Sequence, residues 1–271
     1  MNNEAGISAY QWVGSQQHFV DHLHVHSTSL IAIGQFGGNS SAGQTKNEDG
    51  CLVWTDPKGA WEFAVLLDAH QTAQSAELVI SEIGALKHAI QDSLLLSERQ
   101  AFNGVQTLLL DLFESQDFKD KCRSIQGETA VLFVVRKGKF LWWLSIGDCL
   151  LYLFHPELVA LNEFQQNHRS FYEWVGRANT FELDVPCYSM GVKELRKGRN
   201  HIFLTTDGLV ECPDTNFTNP CEIRKAFNGV SNKGGVHSLL NQIQQKNVRD
   251  STTILSWFLD VEEDATVPGN L

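Results

Sequence analysis

The chain of 271 residues has six cysteines but no Cys-x-x-Cys pair. They stand apart at positions 51, 122, 149, 187, 212 and 221. That spacing provides neither a zinc ribbon nor the dense framework of a disulfide scaffold, and reads as reduced thiols. No apolar run approaches the roughly 20 residues of a membrane span. The N-terminus lacks a basic region followed by an apolar core. A cytoplasmic protein with no membrane partner is expected. Positive charge is scarce: 21 Lys and Arg stand against 32 Asp and Glu, a net charge of −11. Such a surface repels phosphate backbones, which weighs against a nucleic-acid partner. Neither a repeat nor a linker divides the chain, so residues 1–271 read as one domain. A hydrophobic content of 42% can fill a sizeable core.

What is present centres on Phe63-Ala64-Val65-Leu66-Leu67, which runs without alternation into Asp68, with His70 two residues on. A short unbroken apolar run suits a strand covered on both faces. The pattern recurs at Leu141 to Asp148 and at His201 to Asp207. It is inverted at Asp49, which precedes Gly50 to Trp54, and at Asp250, which precedes Ser251 to Leu259. In an antiparallel sheet the start of one strand lies beside the end of the next. Three carboxylates at strand ends and two at strand starts can thus gather at one sheet edge. Each alone is explained by the preference of Asp for turns. Together they would repel unless a cation neutralised them, and oxygen ligands suit Mg²⁺ or Mn²⁺.

Asp56-Pro57-Lys58-Gly59 predicts a turn, so residues 49–68 read as a hairpin with Asp49 and Asp68 at its open end. Helical spacing predicts one helix over about residues 73–96 and a second over about 98–120. Strands at 129–135 and 140–146 form a hairpin, and the strand at 149–154 continues it as a meander. Residues 156–198 are irregular and read as an inserted flap. Residues 218–247 read as two helical pieces split at Gly229 and at Gly234-Gly235, followed by a last strand at 252–259. Near the N-terminus, Gln11 to Gly14 suggests an edge strand. His22, His24 and His26 alternate, which suits either a transition-metal face or, preferably, a solvated polar strand or loop. Helices over antiparallel strands give the class α+β.

Six motifs in order carry a resemblance: Asn47-Glu48-Asp49, Asp68-Ala69-His70, Gly127-Glu128-Thr129-Ala130, Gly147-Asp148, Thr206-Asp207-Gly208 and Asp250-Ser251-Thr252-Thr253. Over about residues 28–260 the chain resembles the metal-dependent serine/threonine protein phosphatases, the protein phosphatase 2C or PPM family. The resemblance implies a four-layer αββα sandwich of two mainly antiparallel sheets and two Mn²⁺ or Mg²⁺ ions, with a third in some members. It places Asp68 between both ions and the Ala69 carbonyl on one. Asp207 and Asp250 fall on the other, Glu48 and Asp49 act through water, and Asp148 and Glu211 match third-ion positions. His70 matches the acid that protonates the leaving group. The implied activity is hydrolysis of phosphoserine and phosphothreonine in proteins by a metal-activated water, with a phosphoprotein substrate and a cognate Ser/Thr kinase as partners.

The departures point elsewhere. The family's arginine position holds Gln44, leaving Lys46 as a point charge. Ala69, Gln71 and Thr72 replace glycines of Asp-Gly-His-Gly-Gly, and a positive φ at Ala69 would be strained. Glu128 replaces a small or hydroxyl residue. Weak phosphate binding is expected. The alternative is a catalytically weak or inactive phosphatase-like binding domain, and a third reading is a hydrolase of small phosphate esters.

Overall fold

The computed structural model describes residues 7–266. Two antiparallel sheets stack face to face, and helices cover both outer faces. The first sheet has the order β1 (Ser8–Val13), β4 (Gly50–Thr55), β5 (Trp61–His70), β6 (Glu128–Lys137), β7 (Phe140–Ile146) and β10 (Ser189–Glu194), with β9 (Val175–Gly176) paired to the start of β6. The second has the order β2 (His24–Thr28), β3 (Ile31–Phe36), β12 (Thr252–Val261), β11 (Gly198–Thr205) and β8 (Leu150–Phe154). This is the α+β sandwich expected.

The unbroken apolar runs are explained by period-two alternation between two cores. On β6, Val131, Phe133 and Val135 face the helices, while Ala130, Leu132 and Val134 face the other sheet. On β5, Phe63, Val65 and Leu67 point to the helices, and Ala64 and Leu66 point between the sheets. The helix layer over this sheet comprises α1 (Gln74–Ala85), α2 (Lys87–Leu94), α3 (Glu98–Glu114) and α4 (Gln116–Ser124). The other sheet is covered by α7 (Asn232–Gln245) and α6 (Pro220–Lys225), while α5 (Pro156–Ala160) follows β8. Among the described residues no helix is long and apolar enough to cross a membrane.

Several expectations are corrected. Each of the two long helices is broken. Leu86 leaves helical geometry at φ −84° and ψ 2°, just after Gly84, whose helix propensity is low. Ser115 is extended at ψ 142°, and its hydroxyl accepts from Phe118 N at 3.2 Å, capping α4. Gly234 and Gly235 do not split a helix. They lie in the first turn of α7, where a Cβ on Gly235 would stand 2.2 Å from the Phe227 ring, so glycine permits close packing there.

The meander also stops at β7. Gly147, at φ +85°, sends the chain across to the other sheet, where β8 pairs with β11. A Cβ on Gly147 would lie 2.5 Å from that of Ala130. Nor is the 156–198 segment a detached flap: it supplies α5, β9 and β10. At the N-terminus β1 is an edge strand, as expected. His24 and His26 share a face of β2, half-buried, with rings 5.0 Å apart and packed against Phe19 and Tyr10, so they are not simply solvated.

Candidate metal centre

Strand alternation aims the carboxylates. Asp68 continues the inter-sheet face of Ala64 and Leu66 at the open end of β5, and Asp49 continues that of Cys51 and Val53 just before β4. Asp207 follows β11, and Asp148 sits on the crossover from β7 to β8. Asp68, Asp148 and Asp207 each bring a carboxylate oxygen within 4.8 Å of the others. All three are buried.

Asp49 is fully buried and held from the second sheet. Its carboxylate accepts from Thr253 Oγ1 at 2.7 Å, Ser251 Oγ at 2.9 Å and Thr206 Oγ1 at 3.2 Å. Ser251 and Thr253 share the inter-sheet face with Leu255, which is why both reach it. Asp250, one residue earlier, stands at the lip of the site. The residue is exposed, although loss of water around the carboxylate and the charge of Asp207 push its pKa up to about 7.

Burial and mutual repulsion raise the other acids too. Burial, then the charges of Asp207, Asp49, Asp250 and Asp148, hold Asp68 well above the usual carboxylate range. Asp148 is pushed up to about 6 by burial and by Asp207, against the opposing pull of Arg169 and His70. Asp207 is raised by burial and by Glu211, while Arg169 draws it down. Burial also lifts the Cys149 thiol far above its ordinary value, so it is not an activated nucleophile.

A hard cation fits this donor set. The oxygens come from carboxylates alone, and Asp148 Oδ1 and Asp207 Oδ1 are buried without a hydrogen-bond partner. Such oxygens are costly in a protein interior unless a proton or a metal satisfies them. No protein-family model and no curated sequence matches the chain. Solved structures do. A bacterial serine phosphatase superposes with a TM-score of 0.62 at 14% identity, covering 88% of this chain and all of that one. Stp1, the serine/threonine phosphatase of Staphylococcus aureus, gives 0.56 at 13% identity, covering 96% and 98%. PppA, a regulatory component of T6SS in Pseudomonas aeruginosa, gives 0.55 at 15% identity, covering 94% and 97%. The fold is that of the PPM serine/threonine phosphatases.

On this PPM fold the remaining predicted positions fall as follows. His70 ends β5, partly exposed, with Nδ1 3.9 Å from Asp68 Oδ1 and its ring edge-on to Trp174 at 5.0 Å. Ala69 is an ordinary strand residue opposite Thr129, and the left-handed turn expected there occurs at Gln71, φ 68°. The strand simply runs two residues further before it turns. Lys46 Nζ lies 2.7 Å from Glu48 Oε1 and also donates to the Gln71 carbonyl. Gln44 Oε1 accepts from the neighbouring Thr45 N at 3.2 Å. Glu211 is exposed and pairs with Arg169.

Sequence reasoning missed Arg169, Trp174 and the hydroxyls that hold Asp49. Arg169 and Trp174 come from the irregular segment, which has no periodicity to mark an inward-facing position. The hydroxyls were visible, since Thr206 and Ser251 adjoin predicted ligands, but they read only as strand composition. His18 was also missed: its Nδ1 accepts from Asn47 N at 3.1 Å and so steadies the loop leading to Asp49.

Proposed function

We propose that this protein is a metal-dependent phosphatase of phosphoserine and phosphothreonine in proteins. The observation that carries the reading is the pair of buried, unpartnered oxygens on Asp148 and Asp207 beside Asp68. Asp68, Asp148 and Asp207 would hold two Mg²⁺ or Mn²⁺ ions, with Asp250, the Ala69 carbonyl and Glu48 as further candidate ligands. When bound, such ions neutralise phosphoryl charge and acidify water for attack on phosphorus. RsbX, a structural neighbour with a TM-score of 0.50, was solved with magnesium.

The chain's own groups supply the rest. Asp49, pinned by three hydroxyls, ties the start of β4 to the ends of β11 and β12 and keeps the two sheets in register at the site. In this reading His70, accessible and 3.9 Å from Asp68, gives a proton to the departing serine or threonine oxygen. Trp174 packs edge-on against that ring and limits its swing. This reading takes a cytoplasmic phosphoprotein as the substrate, phosphorylated by a Ser/Thr kinase.

A second reading has its own support. Lys46 is engaged by Glu48 and by the Gln71 carbonyl, and Gln44 offers only an uncharged amide, so the grip on phosphate is weak. A domain that binds a phosphoprotein without rapid turnover would look the same there. Turnover of p-nitrophenyl phosphate with Mn²⁺, with chelator and in Asp68→Asn separates the two. Metal-dependent turnover that is lost in the variant is expected. Metal bound without turnover on this substrate or on a phosphopeptide would favour the binding domain.

A further inference from the structure

The carboxylate cluster already contains a cation of its own. Arg169 Nη2 donates to Glu211 Oε1 at 2.5 Å and to Asp207 Oδ2 at 3.2 Å, and Nε donates to the Asp148 main-chain carbonyl at 3.2 Å. The side chain is only 20% exposed, and its guanidinium lies 4.7 Å from the Phe171 ring, which covers one face. Three oxygens from three residues thus surround one permanent positive charge. The cluster consequently has two sides. The outer side, among Glu211, Asp207 Oδ2 and the Asp148 carbonyl, is filled by Arg169. The inner side has the unpartnered Asp148 Oδ1 and Asp207 Oδ1 next to Asp68.

We propose that Arg169 is a resident cation that closes the outer side to divalent ions, so that the chain takes its ions on the inner side alone. This rests on the metal-centre reading above. A guanidinium cannot leave its site as an ion can, and it cannot be deprotonated at working pH. The number of sites open to ions is therefore set by the protein and not by the ion concentration. The irregular segment that carries Arg169 becomes part of the site's charge balance.

The test counts ions on the full chain by calorimetric titration with Mn²⁺, with folding checked by circular dichroism. Wild type and Glu211→Gln are expected to bind the same number, because Arg169 still fills the outer side when one of its partners is lost. Arg169→Gln is expected to bind one more ion, and Arg169→Gln with Glu211→Gln to lose that extra ion. One ion fewer in Glu211→Gln than in wild type would overturn the proposal even if Arg169→Gln fails to fold, because the outer side would then be an ion site. Unchanged stoichiometry and affinity in a folded Arg169→Gln would overturn it as well. No binding by wild type but binding by Arg169→Gln would overturn the assignment of ions to the inner side. No binding by either would sink this inference and the metal-centre reading together.

Discussion

Replacing Asp148 by Asn is expected to stabilise the metal-free protein and to remove much of its stabilisation by metal. Burial and the charge of Asp207 raise this carboxyl from 3.8 to about 6. Below about pH 3.8 the folded and unfolded chains both hold the proton, and the group costs nothing. Between about 3.8 and 6 the unfolded chain releases it and the folded chain keeps it, so stability falls as pH rises. Above about 6 the cost is constant. The rise of roughly two pKa units corresponds to about 3 kcal/mol at 1.36 kcal/mol per unit. For a chain of this size that is a melting-temperature difference of about 6–12 °C, at about 2–4 °C per kcal/mol. The assay is a pair of melts at each pH from 4.5 to 8, wild type against Asp148→Asn, with chelator present. The gap should be smallest at pH 4.5, about 1 kcal/mol, and widen towards neutrality, the variant melting higher. With Mn²⁺ the order should reverse at pH 7.5, because wild type alone has the full ligand set. A variant less stable than wild type in chelator at pH 7.5 would refute the reasoning, since the carboxylate would then be a net structural asset without metal.

Two further outcomes follow from positions outside the ligand set. His201 is buried among Phe154, Phe227 and Phe258, and burial followed by the charges of Arg199 and Arg224 lowers it to about 3. The unfolded chain takes up a proton near pH 6.5 that the folded chain refuses, so acid destabilises; from pH 8 to 5 the loss is about 2 kcal/mol, set by the unfolded value. His201→Phe should melt with a correspondingly flatter acid limb, and an unchanged limb would count against it. Gln71 holds φ 68° where glycine rests without strain. Gln71→Gly should therefore raise stability in urea by about 0.5–1 kcal/mol, and a loss would show that its side chain contributes more than the turn costs.

The central hairpin and its carboxylates were legible because the chemistry is local to the strand. An apolar run on both faces of β5 that stops at Asp68 specifies burial, direction and an accessible end in one stretch. The same holds for β11 with Asp207 and for β12 beginning after Asp250. What was not legible depends on tertiary choices. Nothing near Leu150 says that β8 belongs to the other sheet; that follows from the left-handed Gly147 and from the free edge of β11. The edge strand β10 has Met190 and Val192 exposed, so its alternation carries little core signal. Arg169 lies in coil, and its inward position is set by Phe171 and by the acids it meets.

The order of the second sheet bears on how the molecule can be made. Its last strand, β12, is inserted between β3 and β11, and β3 was synthesised more than two hundred residues earlier. Until Thr252 and the residues after it have emerged, β3 and β11 face one another across a gap with both ladders open, and Asp49 lacks the hydroxyls of Ser251 and Thr253. Pairings so distant along the chain close late and slowly. A nascent chain can complete the hairpin of β4 and β5 and the helices that follow, yet Asp250 is missing and Asp49 lacks two of its three hydroxyl partners until β12 docks. A chain interrupted before β12 is therefore a partly folded species with two exposed strand edges, the kind that aggregates.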